Sequence, residues 1–321
     1  MEQTVTEKRP KPEKMDRSSE REQVAVYREK ITDEIFKAFG FSPTGAMRRL
    51  LGPLFRLPAN RFGRIAVRVD DEVGSSGLSG GARLILPDLS LEVTACGSEN
   101  IPVDGPLLVV SNHPGAFDSV AILSCIPRKD VKVLLSDVPF TRAFASARQY
   151  FIYVPPDASG RMTTFRASIN HLKSGGALLI FAHGDVEPDP EVSPGAGECI
   201  QDWSRSVEMM LRAVPDCRLQ VTIVSGALMP KFVFSPIVKI RKTSAKRQKL
   251  AEFLQISRQM AFPSGDKTHV HISFAEPVRG MDLAGGETMS AVIDIARRLL
   301  KVHLESLGSN LTQSKGGFHG P

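Results

Sequence analysis

The chain has 321 residues, of which 42% are hydrophobic, and this is enough to bury a large core in one large domain with an accessory element. Its net charge of +6 favours acidic partners such as anionic lipid headgroups. Nucleic acid is not expected as a partner, because the chain has only three tyrosines and one tryptophan and its basic residues are not interleaved with aromatic ones.

The cysteines and the first residues indicate a reducing compartment. Four cysteines lie far apart, without the spacing of a metal site, and we interpret them as reduced thiols. The first residues are rich in Lys, Pro and Glu rather than apolar, and no run of about 18 uncharged apolar residues occurs in the chain. We therefore expect a cytoplasmic protein without a signal peptide or a transmembrane helix.

An N-terminal helical element is predicted over residues 21–90. Residues 1–20 before it are polar and contain proline, so we expect a disordered tail there. Apolar residues recur at helical spacing from Val24 to Phe39, and Gly40 is typical of a helix end. Residues 74–81 are rich in glycine and serine, which favours a flexible joint or a tight turn.

Two basic segments each have two open interpretations. Residues 47–68 are apolar and basic with almost no acid. They form either a helical layer that packs on the core with its arginines in solvent, or an interfacial segment that lies on an anionic membrane. The second basic segment, within 239–258, is either a solvated face or a docking site for anionic lipid or an acidic carrier protein.

Strand-like and helix-like segments alternate from residue 91 to residue 307. The candidate strands are 91–94, 107–111, 131–135, 151–154, 177–181, 220–224 and 269–274. The candidate helices are 118–126, 139–148, 160–173, 203–213, 245–261 and 288–307. This alternation predicts an α/β fold with a mostly parallel sheet flanked by helices. The Gly/Ser-rich residues 308–321 are expected to be disordered.

The turn after the second candidate strand is the most informative segment. Residues 107–110 are a continuous apolar run, as expected of a strand covered on both faces. Pro114 and Gly115 break the run, and Asp118 lies where a helix N-cap or a first-turn acid belongs. His113 is therefore expected on a loop at the strand's carboxyl end, with Asp118 close enough to bond its ring.

A histidine held by a carboxylate is the arrangement of a general base. The carboxylate fixes the tautomer and leaves the other ring nitrogen free to take a proton from a hydroxyl or an amine. It also stabilises the imidazolium that results. The spacing alone is a weak motif, because His-x4-Asp arises by chance and a loop histidine could equally be a structural cap. The surrounding sequence decides between these interpretations.

The run Asn-His-Pro-Gly-Ala-Phe-Asp at 112–118 resembles the Asn-His-x4-Asp block of the phospholipid and glycerol acyltransferase family. Residues 97–106 are similar to that family's lead-in, and residues 175–186 have the position and shape of its third block. The resemblance covers roughly residues 91 to 305. It implies a glycerolipid acyltransferase-like domain over 91–307 that moves an acyl chain from a thioester to a lipid acceptor.

The departures from the family pattern concern the acceptor. The third block reads Phe-Ala-His-Gly-Asp-Val at 181–186, where the family commonly has Phe-Pro-Glu-Gly-Thr-Arg. It is more similar to the Phe-Pro-Ala-Gly-Glu-Val of the ornithine-lipid and hemolysin-like branch, as is the later Trp203. The second block has Pro155 and Pro156 in place of an arginine that contacts the acceptor's phosphate, and the fourth has Ser225 in place of a proline. Glycerol phosphate is therefore in doubt as the acceptor.

The resemblance implies a role for each matching residue. His113 is the general base and Asp118 orients it. The implied substrate-binding residues are Asn112, Gly115, Phe181, His183, Gly184 and Asp185, with Arg161 or Arg166 as substitute anion contacts. Backbone amides around Gly184 and after His113 are expected to stabilise the oxyanion. Neither a metal nor a tightly bound cofactor is implied. Acyl-CoA or acyl carrier protein is the co-substrate, and the protein is expected on the inner face of the membrane, in phospholipid or other lipid biosynthesis.

Two alternatives from other classes remain open. One is a metal-dependent hydrolase with His113, Asp118, His183 and Asp185 as ligands, although the sequence has no tight ligand motif beyond these residue types. The other is a catalytically idle lipid-binding protein, suggested by the altered second and fourth blocks. The retained His–Asp pair argues against the second alternative, because a binding module would gain little from it.

Overall fold

Two long helices precede the sheet. In the computed structural model, which describes residues 17–115, 117–193, 195–262, 265, 267–283 and 287–316, α1 spans Arg17–Phe39 and α2 spans Ala46–Ile85. Residues 17–20 are thus helical rather than disordered, and Glu20 in the first turn complements the helix dipole. Residues 1–16 of the predicted tail lie outside the described residues.

α2 runs through the glycine-rich stretch that the sequence predicted to be a joint or a turn. Its backbone leaves the helical conformation at Gly77, with φ 69° and ψ −178°, so the stretch is a kink within the helix. A Cβ at Gly77 would lie 2.2 Å from the carbonyl oxygen of Lys129. The small residues therefore allow close packing against the loop before the third strand, rather than flexibility.

The described residues form one eight-stranded sheet. Its strands are β1 Leu91–Cys96, β2 Leu107–Ser111, β3 Lys132–Ser136, β4 Phe151–Val154, β5 Ala177–Phe181, β6 Arg218–Ser225, β7 Thr268–Phe274 and β8 Val278–Arg279. The order is β1-β7-β6-β2-β5-β3-β4, with β8 also paired to β6. β7 and β8 are antiparallel to β6 and the other pairs are parallel, so the predicted mostly parallel sheet is confirmed.

Helices cover both faces of the sheet, which explains the continuous apolar sequence of β2. The helices after α2 are α3 Asp118–Cys125, α4 Ala158–Lys173, α5 Ala196–Cys199, α6 Ser206–Ala213, α7 Pro230–Val233, α8 Ser244–Ala261 and α9 Thr288–Gly316. Leu107 and Val109 pack with residues of α2, α3 and α8, whereas Leu108 and Val110 pack with residues of α4, α6 and α9. No helix among the described residues combines the length and apolar character needed to cross a membrane.

Three helix predictions need correction. Residues 139–148 are not one helix but parts of two short 3-10 helices at 141–143 and 147–150, because the buried Asp70 of α2 accepts the backbone amides of Ala145, Ser146 and Ala147 at 2.8 to 3.1 Å. The helix predicted over 203–213 begins at Ser206, after α5 and a 3-10 turn. α9 continues through 308–316, since one glycine inside a helix costs only about 1 kcal/mol. Residues 317–321 lie outside the described residues.

Candidate active site

The loop after β2 carries His113, and the sheet fixes where the loop starts. β2 lies between β5 and β6, and Asn112 directly follows its last residue. The Asn112 side chain donates to the carbonyl oxygen of Val224 at 2.9 Å and accepts from the Val224 amide at 2.8 Å. Asn112 therefore clamps the loop to β6, and its predicted role in substrate binding is not supported because its amide group is already bonded.

His113 and Asp118 form the predicted pair. Nδ1 of His113 lies 2.7 Å from Oδ2 of Asp118, which is fully buried at the start of α3. Asp118 also accepts the amides of Gly115, at 3.0 Å, and Ser119. The carboxylate is thereby fixed in place, and it holds the imidazole so that Nε2 is the ring nitrogen that remains for chemistry.

The imidazole ring is also held from one side. The Phe181 ring at the end of β5 stacks on it with a centroid distance of 4.2 Å and an interplanar angle of 18°. The His113 side chain keeps 26% of its surface exposed, so part of the imidazole is accessible. The structure thus adds Phe181, whose stacking on the imidazole was not predicted, to the predicted pair of His113 and Asp118.

Carboxylates dominate the electrostatics of His113. Burial opposes the charged imidazolium, but the negative charges of Asp118, Glu252 and Glu187 outweigh it and raise the pKa of His113 to about 9. Protonated imidazole is therefore the main form at neutral pH, and the base form grows as the pH rises.

Glu187 positions His113 through the backbone, a role that the sequence analysis missed. Oε2 of Glu187 accepts the His113 amide at 2.8 Å, and the Glu187 amide donates to the His113 carbonyl oxygen at 2.8 Å. Oε1 accepts from the indole Nε1 of Trp203 at 3.1 Å, and burial raises the pKa of the Glu187 carboxyl. The sequence signal was an acid shortly after the third block together with the tryptophan that follows it.

A second buried acid orders the next loop. Asp189 accepts the amides of Glu191 at 3.0 Å, Gly226 at 3.0 Å and Leu228 at 3.3 Å. Burial raises the pKa of Asp189 to about 6 in spite of these bonds. The side chain of Leu228 lies against Gly115, where an added Cβ would come within 3.1 Å of it. Gly115 therefore serves close packing beneath the His113 loop.

The third block lies beside the site and is more exposed than the His113 loop. Nδ1 of His183 approaches the carbonyl oxygen of Asp185 at 3.4 Å, and the Asp185 side chain accepts the Val186 amide at 2.8 Å. Gly184 has a φ of 83°, which favours glycine in this turn. Its amide donates to the Phe181 carbonyl oxygen at 3.1 Å. The amides of Gly184 and Gly115 are thus both hydrogen-bonded within the protein, and the oxyanion contact by amides around Gly184 and after His113 stays a prediction.

Arg161 and Arg166 lie apart from the His113 loop. Both are exposed on α4, which follows β4, and Nη1 of Arg161 donates to the carbonyl oxygen of Pro156 at 2.6 Å. β4 is three strands away from β2 in the sheet, a separation of roughly 14 Å. α4 also packs against β5, the neighbour of β2, but among the described residues no hydrogen bond or ion pair joins either arginine to the His113 loop. Their anion contact stays a prediction.

A cleft borders the site on the side of α8. It encloses about 490 Å³, and its walls include Pro188, Glu198, Phe234 and Arg247. Gln248 lines the same cleft, and its Nε2 donates to the carbonyl oxygens of Pro114 at 2.8 Å and Glu187 at 2.7 Å. The volume is in the range of small-molecule sites. Gln248 therefore connects the wall of the cleft to the loop that carries His113, and His113 itself does not line the cleft.

The four side chains of the hydrolase alternative do not form a metal cage. Within the described ranges, no group of three or more His, Cys, Asp or Glu side chains is arranged to hold a metal ion. His113 instead directs Nδ1 to Asp118, and the Asp185 carboxylate accepts a backbone amide. No observation on the site supports a ligand set for the hydrolase.

Three comparisons with known proteins bear on the site. Residues 92–228 match the acyltransferase family model. A comparison with curated proteins gives no match. Among solved structures, the crystal structure of the 1-acyl-sn-glycerophosphate (LPA) acyltransferase PlsC from Thermotoga maritima aligns over 88% of this chain and 93% of that chain, with 16% identity and a TM-score of 0.46. The part of the chain that resembles an acyltransferase domain thus contains β1 to β6, His113 and Asp118.

Proposed function

We propose that the protein transfers a fatty acyl chain from acyl-CoA or acyl carrier protein to the hydroxyl or amine of a lipid acceptor. The observation that carries the proposal is the 2.7 Å contact between Nδ1 of His113 and the buried Asp118, within the range that matches the acyltransferase model. A catalytically idle lipid-binding protein would have no use for a buried carboxylate that fixes the tautomer of an accessible imidazole.

The reaction follows from the free edge of the imidazole. Nε2 of His113 takes the proton from the acceptor's hydroxyl or amine as its oxygen or nitrogen attacks the thioester carbonyl carbon. The new C–O or C–N bond forms, the C–S bond breaks, and the proton on the imidazolium passes to the departing thiolate. Asp118 keeps Nδ1 protonated and stabilises the imidazolium during the transfer, and no acyl-enzyme intermediate is needed.

The acceptor is proposed to be a lipid without a phosphate at the reacting end. The family's arginine positions hold Pro155 or Pro156 and Val186, and among the described residues no hydrogen bond or ion pair joins Arg161 or Arg166 of α4 to the His113 loop. The charges that face His113 are those of Asp118, Glu187 and Glu252, which repel a phosphate. An uncharged or amine-bearing acceptor suits this surrounding better than lysophosphatidate or glycerol phosphate.

Acyl transfer from a fixed donor tests both parts of the proposal. The protein is supplied with a lipid extract and acyl-CoA or acyl carrier protein, and the lipids that gain the acyl mass are identified. Competition kinetics then compare uncharged, amine-bearing and phosphate-bearing acceptors. We expect the phosphate-bearing acceptors to have the lowest kcat/KM. No acylated product from any acceptor would overturn the proposed activity, whereas a highest kcat/KM for lysophosphatidate would overturn only the acceptor.

The membrane surface is the proposed location. Leu50, Leu54 and Leu57 of α2 share one helical face and expose 72%, 71% and 64% of their surface. Arg49 and Arg56 on the same segment are also exposed, and both suit anionic headgroups. This exposed apolar face favours the interfacial interpretation of residues 47–68 over a layer packed on the core. Co-sedimentation with anionic vesicles tests it, and a Leu50→Gln, Leu54→Gln variant that binds them like the wild type would contradict it.

A further inference from the structure

One face of α8 is polar but turned toward the protein interior. Gln248, Glu252, Gln255 and Gln259 recur at intervals of four, three and four residues, so they lie along one side of the helix. Gln248 donates to the carbonyl oxygens of Pro114 and Glu187. Gln255 accepts the Met229 amide at 2.8 Å, and Gln259 donates to the Thr268 hydroxyl at 2.8 Å. These three glutamines tie α8 to the loops and the sheet.

Glu252 is different from its neighbours on this face. Only 7% of its surface is exposed, and its Oε1 has no hydrogen-bond partner among the described residues. A buried carboxyl oxygen without a partner is unfavourable, and such a group is retained where another interaction offsets it. Glu252 lies one helical turn from Gln248, whose side chain is bonded to the loop that carries His113.

The charges around Glu252 are those of the candidate active site. His113 and Asp118 act on it most strongly, followed by Lys249 of α8 and Asp185 of the third block. His113 is in turn faced by Asp118 of α3, Glu252 of α8 and Glu187 after β5. Burial raises the pKa of Glu252 to about 7, so its carboxylate is the main form at the pH where His113 loses its proton.

We propose that Glu252 is a positioning residue that places a second carboxylate beside the imidazole of His113 and stabilises the imidazolium formed when His113 takes the acceptor's proton. Asp118 bonds Nδ1 and fixes the ring, whereas Glu252 acts through its charge. The transfer of the acceptor's proton to His113 rests on the proposed function, whereas the electrostatic coupling between Glu252 and His113 does not. Glu252 lies outside residues 92–228, so the matched range does not contain all of the groups that set the basicity of His113.

Titration of the His113 ring by nuclear magnetic resonance tests the coupling without an activity assay. Histidine Cε1–H signals are followed against pH in the wild type and in Glu252→Gln, and the His113 signal is assigned by its loss in His113→Ala. We expect the His113 midpoint to fall by about one pH unit in Glu252→Gln, because a nearby negative charge is removed. Glu252→Asp keeps the charge and is expected to stay near the wild-type midpoint.

A matched control separates charge from general destabilisation. Glu34 is also buried, on α1, and its partner is Lys37 at 2.7 Å. Glu34→Gln is expected to leave the His113 midpoint unchanged. Where Glu252→Gln does not fold, Glu252→Met of similar volume replaces it. An unchanged His113 midpoint in the folded Glu252 variant would overturn the inference.

The pH profile of kcat/KM connects the coupling to catalysis. A weaker base is neutral at lower pH, so the acidic limb of the Glu252→Gln profile is expected to move to lower pH while its plateau falls several-fold. A profile that only loses height would indicate a structural role and contradict the inference. Wild-type protein without acyl transfer would sink the proposed function, but a shifted His113 titration would still support the coupling.

Discussion

Two histidines near the carboxyl ends of adjacent strands have pKa values that are shifted in opposite directions. His113, after β2, faces Asp118, Glu252 and Glu187, and its pKa is raised to about 9. His303 of α9 is bonded through Nδ1 to the Ser273 hydroxyl at 2.8 Å and through Nε2 to the Ser225 hydroxyl at 2.9 Å. Burial and the charge of His271 lower its pKa to about 4.

The difference shows that the partners of a buried imidazole decide its chemistry. Carboxylates favour the protonated form of His113, and its side chain remains partly exposed at the site. Burial and the charge of His271 keep His303 neutral between its two serine partners, and only 1% of its surface is exposed. The first histidine is therefore suited to proton transfer, and the second connects α9 to the ends of β6 and β7.

The largest expected effect is that of His113→Ala on acyl transfer. Removal of the general base is expected to lower kcat by ~100- to 10,000-fold. A loop side chain that stacks on one ring contributes little to the core, so the variant is expected to fold. Single-turnover kinetics and circular dichroism check both points. Near-normal turnover, or loss of the folded state, would refute the assignment of His113.

Asp118→Asn is the companion to this variant. The amide keeps the shape of the side chain but holds the imidazole in the wrong tautomer, so kcat is expected to fall by up to about 10,000-fold, no more than in His113→Ala. In contrast to His113→Ala, the His113 ring remains present. Its NMR midpoint is expected to fall well below that of the wild type, and an unmoved midpoint would contradict the role of Asp118.

His113 and His303 are also expected to change the free energy of unfolding with opposite dependences on pH. The folded-state pKa of His303, about 4, lies below the ordinary value of 6.5, so its contribution is present above pH 6.5 and is lost as the pH falls toward 4. The full loss is about 3 kcal/mol at most. For His113, with a folded-state pKa of about 9, the contribution is present below pH 6.5 and is lost as the pH rises through 9.

Denaturant unfolding at several pH values measures these slopes. The difference in the free energy of unfolding between wild type and His303→Gln is expected to shrink as the pH falls from 6.5 to 4. If the difference in the free energy of unfolding between wild type and His303→Gln stays constant over this range, His303 does not titrate as its surroundings indicate.

The sequence predicted well what depends on local pattern. The bounds of β2, β4 and β5 agree with the structure, because each is a short apolar run closed by a turn or flanked by polar residues. The contact between His113 and Asp118 was also predictable, since the two residues share one turn. β8 was not, because two residues are too short for an alternating pattern.

What the sequence did not reveal depends on contacts between distant elements. Glu187 accepts the backbone amide of His113, which lies 74 residues away in the sequence. Glu252 faces the site from α8, which follows the blocks that resemble the acyltransferase family. The resemblance implied a substrate contact for Asn112, but its amide group pairs with the backbone of Val224, 112 residues away. The predicted helix at 139–148 failed for the same reason, because the distant Asp70 accepts backbone amides of this segment.

The smallest expected effects are those of Arg161→Ala and Arg166→Ala on acyl transfer. Both side chains are exposed on α4, which follows β4, and Arg161 is bonded to the Pro156 carbonyl oxygen. A bidentate phosphate contact would be worth more, since each hydrogen bond to a charged group contributes about 1.5–3 kcal/mol. We therefore expect each variant to change kcat/KM by less than about threefold with every acceptor. Steady-state kinetics with lysophosphatidate and with an uncharged acceptor check this. If both variants lower kcat/KM for lysophosphatidate but not for the uncharged acceptor, α4 must approach the site when the acceptor binds. The proposed difference between the carboxylate-lined site and the arginines of α4 would then be wrong.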